Sequence, residues 1–66
     1  MNAETLRGKW NQMKGETKQK WGKLTDDDIS RINGNRDELV GRIQERYGKS
    51  KEEAEREVDT WQTTHH

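Results

Sequence analysis

Cysteine, proline and phenylalanine are all missing from this 66-residue chain. Without cysteine there is no disulfide framework and no thiolate site, so small size is not offset by covalent staples. No apolar run exceeds two residues, which leaves neither a transmembrane helix nor the apolar region of a signal peptide. Leu6, Leu24, Ile29, Ile32, Leu39, Val40, Ile43 and Val58 are the only branched aliphatics. That is below the roughly one-fifth share at which highly charged chains stay disordered. Net charge, however, is zero, with thirteen basic and thirteen acidic residues, and mean hydropathy is −1.60. The apolar residues fall at helical spacing, three Trp add bulk, and Glu, Lys, Arg and Gln favour helix over sheet. A folded, small, all-α domain is therefore expected, with no room for a second core.

Leu6, Trp10, Met13, Thr17, Trp21 and Leu24 step by threes and fours, which predicts one amphipathic helix over residues 3–21. Gly22 is expected to close it in the left-handed conformation. Thr25-Asp26-Asp27-Asp28 then reads as a helix start: an N-cap hydroxyl, three acids, and Asp28 in the capping-box position. Leu24 and Ile29 occupy the hydrophobic-staple positions around it. This second helix is short and ends near Asn33, before Gly34-Asn35. A third helix over 36–47 places Leu39, Val40, Ile43 and Tyr47 on one face, with Gly48 as its cap. Ser50-Lys51-Glu52-Glu53 is a further capping box, opening a fourth helix that carries Ala54, Val58 and Trp61. The expected core is Leu24, Ile29, Ile32, Leu39, Val40, Ile43, Tyr47, Val58 and Trp61, joined by Trp21. Residues 1–14 are expected to be the loosest part of the single domain 1–66, and residues 63–66 to fray.

Two features repeat. Trp21-Gly22-Lys23 matches Tyr47-Gly48-Lys49 at an offset of 26, inside a shared helix–stop–helix unit. Glycines also recur every seventh residue, at 8, 15 and 22 and again at 34, 41 and 48. Each interior helical Gly costs about 1 kcal/mol relative to Ala. Gly8 and Gly15 project opposite the apolar stripe, so they read as a tolerated loosening or as points where a partner's backbone comes close.

Catalytic chemistry finds little support. The His residues are His65 and His66, at the end expected to fray, and Ser50 is better explained as a cap. Asp26, Asp27 and Asp28 lack the spacing and distal Glu of a calcium loop; a helix N-terminus accounts for them. No catalytic, metal or cofactor residues are expected, and the chain is read as a non-enzyme and a monomer.

Charge is uneven along the chain. Residues 1–24 hold six bases against two acids, and residues 25–66 seven bases against eleven acids. Lys9, Lys14, Lys18, Lys20 and Lys23 interleave with Trp10 and Trp21. Such a helix can contact phosphates and stack bases, lie on an anionic membrane, or meet a protein partner. The competing reading is that the Trp rings are core and the basic helix pairs with the chain's own acidic half. Lys9, Trp10, Lys14, Lys18, Lys20 and Lys23 are the candidate contact residues.

Three stretches carry a family resemblance: Gly8-Lys9-Trp10-Asn11-Gln12-Met13-Lys14-Gly15, Lys20-Trp21-Gly22-Lys23-Leu24-Thr25-Asp26-Asp27-Asp28, and Gly41-Arg42-Ile43-Gln44-Glu45-Arg46-Tyr47-Gly48. With the late Ala54…Glu57-Val58…Trp61 segment, they resemble the CsbD-like family of small bacterial stress proteins. The resemblance implies four helices in two crossed α-hairpins and a cytoplasmic protein induced in general stress. It brings no catalytic or ligand-binding residues. High glycine content and hydrophilicity also resemble the hydrophilins.

Overall fold

A computed structural model describes residues 3–64, with side chains from Leu6 to Thr63. Among these residues the chain is all-α: α1 (Ala3–Gly8), α2 (Trp10–Lys20), α3 (Asp26–Ile32), α4 (Arg36–Tyr47) and α5 (Lys51–Thr64). α4 is the hub, packing against α5, α3 and α1, while α2 packs against α1 and α3. The expected count of four helices becomes five because the first is broken. Lys9 leaves helical geometry (φ −111°, ψ 13°) directly after Gly8, and α2 starts afresh from the Lys9 carbonyl, which accepts the amides of Gln12 and Met13 at 2.9 Å. Gly8 makes helix continuation weak there. The break leaves Leu6 and Trp10 both buried.

A second expectation is also corrected. Gly22 is not left-handed; the α2 cap is Trp21 (φ −118°, ψ 78°), whose amide donates to the Thr17 carbonyl at 2.9 Å. The Trp21 ring is anchored inside the core, edge-on to Trp61 with centroids 5.1 Å apart, and its Nε1 donates to Glu57 at 3.2 Å. With that anchor in place, the turn closes through the Leu24 amide on the Trp21 carbonyl. Among the described residues the left-handed ones are Asn33, Gly34 and Gly48, the last as expected.

The core contains the expected Trp21, Leu24, Ile32, Leu39, Val40, Ile43, Val58 and Trp61. Ile29 and Tyr47 are half-buried at its edge. It also takes in Leu6, Trp10, Met13 and Ala54, so the segment expected to be loosest contributes three buried side chains. Thr17 completes the inward stripe of α2 by donating its hydroxyl to the Met13 carbonyl at 2.8 Å. The expected fraying at 65 and 66, and the expected looseness at 1 and 2, lie outside the described residues.

The start of α3 follows its sequence signature. Thr25 Oγ1 accepts the Asp28 amide at 3.1 Å, and Asp28 Oδ2 accepts the Thr25 amide at 3.0 Å. Asn35 caps α4 and Ser50 caps α5 by accepting the amides of Glu38 and Glu53, each at 3.2 Å. Leu24, one residue before the α3 cap, is fully buried. Thr25→Ala should therefore cost about 1 kcal/mol, and Leu24→Ala roughly 2–4 kcal/mol. Thermal denaturation followed by circular dichroism orders the two. A Leu24→Ala variant melting within about a degree of the parent would show that this corner is not held by the core.

Candidate functional surface

The six candidate contact residues do not form one surface. Lys9 sits exposed in the α1–α2 turn, and Trp10 is buried. Lys14 is exposed, and Lys18 is ion-paired to Asp26 of α3. Lys20 lies on the other side of α2, close enough to Glu57 of α5 to contribute to its charge stabilisation. Lys23 turns toward α4, its Nζ 5.1 Å from the centre of the Tyr47 ring. Lys18, Lys20 and Lys23 thus turn toward three different helices, α3, α5 and α4. Trp10 and Trp21, at 7% and 2% exposure, are packing residues, and their rings are not offered to bases.

What does form beside α2 is a groove of about 590 Å³ along α3, lined by Trp10, Lys14, Gly15, Lys18 and Ile29. Gly15 has no atom within 4 Å of where a Cβ would be, so its lack of a side chain widens the groove and relieves no clash.

Local reading missed a buried carboxylate that bonds across helices. Asp28, expected only as a cap partner, is 1% exposed and holds Arg46 of α4 in a forked pair, Nε to Oδ2 at 2.9 Å and Nη2 to Oδ1 at 3.0 Å. Arg42 stands 3.8 Å from the same carboxylate. The Arg46 hydrogen bonds, then the Thr25 amide, hold the Asp28 carboxyl well below the usual range, although burial alone pushes the other way. Arg42 and Arg46, four residues apart on one helix, were the signal that a shared acid lay opposite. Glu57 is a second such acid. Its pKa is lowered, chiefly by the Lys49 hydrogen bond and secondly, against burial, by Trp21 Nε1.

The three consecutive acids are all committed to cations: Asp26 to Lys18, Asp27 to Arg31 at 2.8 Å, and Asp28 to Arg46. Among the described residues no three His, Cys, Asp or Glu side chains cluster in a way that could hold a metal ion. No helix among them is long and apolar enough to cross a membrane.

Comparison with known proteins places the sequence among relatives. The UPF0337 protein YjbJ of Escherichia coli O6:H1 (strain CFT073) is 57% identical over 65 residues, covering 98% of this chain and 94% of that protein. UPF0337 protein ECA0631 of Pectobacterium atrosepticum is 58% identical over the same shares. UPF0337 protein pc0632 of Protochlamydia amoebophila is 48% identical, with 98% of each chain covered. The CsbD-like family model matches residues 4–56, and the chain belongs to the CsbD-like family.

Proposed function

We propose that this is a non-enzymatic bacterial stress-response protein, monomeric and cytoplasmic, acting through its surface as a hydrophilic protectant or protein-interaction module. The scaffold is read as two crossed α-hairpins with the first helix split, a reading supported by the α2–α3 and α4–α5 packing. One observation carries the proposal. Every Trp lies in the core, while the surface is a mosaic of opposite charges paired between helices, as in Lys18–Asp26 and Arg36–Asp59, on a chain of zero net charge. Such a surface holds water and offers little apolar area to which a wrong partner can stick. That suits a protein that works at high concentration beside others.

The rival reading is a nucleic-acid-binding module using Lys9, Lys14, Lys18, Lys20 and Lys23. The test is twofold. Drying or freeze–thawing a labile enzyme with this protein should preserve more activity than an equal mass of an apolar-surfaced helical control. No advantage over that control overturns the protectant reading. In parallel, the Lys9/Lys14/Lys18→Ala triple variant should leave any DNA or RNA binding at ~50 mM salt unchanged. Binding whose log K falls by about 0.9 per neutralised phosphate, and which the Lys9/Lys14/Lys18→Ala triple variant loses, installs the rival.

A further inference from the structure

The α1–α2 break and the α3–α4 turn meet backbone to backbone. Gly34 is buried with φ +82°, and a Cβ there would stand 2.8 Å from Arg7 Cα and 3.2 Å from Trp10 Cβ. Beside this contact lies an open cleft of about 740 Å³, within the range of small-molecule sites. Its lining includes Arg7, Arg31 and Arg42, from three different helices, and the side-chain amides of Asn11, Asn33 and Asn35. Among the described residues, Glu38 is the one acid in the lining.

The cations are available. Arg7 makes no ion pair among the described residues and is exposed. Arg31 is tied to Asp27 through a pair whose side chains are 62% and 73% exposed, the kind that contributes least and yields most easily to a competing anion. Arg42 stands 3.8–3.9 Å from Asp28, Glu38 and Glu45, distances longer than hydrogen bonds, so these contacts do not consume its fork of donors. A planar guanidinium fork matches phosphate oxygens in pairs, and Asn amides add neutral donors. We propose that this cleft binds a multivalent phosphate through Arg7, Arg31 and Arg42. The source is either a free polyphosphate chain, as in a nucleotide tail, or the phosphodiester run of a nucleic acid. This site is separate from the lysine set considered above and does not depend on the protectant reading.

The experiment is a ¹⁵N NMR titration of the full chain with tripolyphosphate, inorganic phosphate and a short single-stranded oligonucleotide, at ionic strength held constant with chloride. Amide shifts should concentrate at residues 7–11, 31–35 and 38–42. The Arg7→Gln/Arg31→Gln double variant, both sites exposed, should weaken tripolyphosphate binding by about tenfold or more. Lys14→Gln/Lys20→Gln removes the same charge elsewhere and should change it less than about twofold. Saturation by tripolyphosphate with no tighter binding of the oligonucleotide assigns free polyphosphate, and the reverse order assigns the phosphodiester. Shifts scattered over the whole surface, equal weakening by both double variants, or no binding of either probe overturns the proposal.

Discussion

Alanine at position 34 should lower the melting temperature by about 10 °C or more. Two costs combine there. The left-handed backbone costs a Cβ-bearing residue about 1–2 kcal/mol. The added methyl must also displace the Arg7 backbone, since 2.8 Å is closer than real Cβ contacts allow, and overpacking of this kind costs about 1–3 kcal/mol. A total of about 2–5 kcal/mol in a domain this small gives the expected shift. Gly41 supplies the control. It lies inside α4 with no atom within 4 Å of its Cβ position, so Gly41→Ala should stabilise by up to about 1 kcal/mol. Thermal denaturation of both variants is the measurement. If Gly34→Ala melts with the parent, the α1–α2 turn does not lie against the α3–α4 turn.

Asp28→Asn should be of similar size, roughly 3 kcal/mol, because it leaves Arg46 facing a neutral group in place of a buried carboxylate. Arg46 is 38% exposed and can turn to water, which keeps the cost at the low end for a buried pair. The pH dependence follows with a definite sign. A carboxyl held below its ordinary value binds fewer protons in the folded than in the unfolded chain. Its stabilisation is complete above the ordinary carboxylate range near about 4 and is lost as pH falls from there toward the depressed folded value. Glu57, lowered in the same direction, adds to the loss. Melting curves between neutral pH and about pH 2.5 should show a steep acid decline in the parent and a flatter one in Asp28→Asn. Parallel profiles would mean that the Asp28–Arg46 pair is not what acid breaks.

What the chain discloses about itself divides along the range of the forces involved. The caps at Thr25 and Ser50 and the left-handed Gly48 are decided within four residues, so the starts of α3 and α5 and the end of α4 can be read directly from the order of residues. Asn35, read only as part of a stop, also caps α4. The break at Lys9 is hidden because the stripe from Leu6 to Leu24 keeps its spacing straight across it. Burial of Leu6 and Trp10 is served as well by two short helices as by one long one. The surface is the least legible part. Lysine positions are evident, but their partners lie across helices, Lys18 on Asp26 and Lys20 beside Glu57. Arg7, Arg31 and Arg42 share no period and line one cleft only in the folded chain, beside the close approach at Gly34. Asp28 announces its cap but not Arg46, eighteen positions away.

The two stop motifs of the internal repeat end up against each other. The Tyr47 hydroxyl accepts the Lys23 amide at 3.2 Å, and Lys23 and Lys49 both place their ammonium groups over the Tyr47 ring, at 5.1 and 5.6 Å from its centre. Trp21 reaches further still, to Glu57 and Trp61. In stacked solenoids each repeat meets only its immediate neighbours along the chain. Here the matching segments complete one another, so each half lacks the other's aromatic when cut away. Whatever its evolutionary origin, the present chain has traded modularity for closure. The aromatic join spans 24 to 40 positions, which makes it among the last contacts whose loop-closure entropy must be overcome. Folding should therefore be all-or-none, with neither half populated alone.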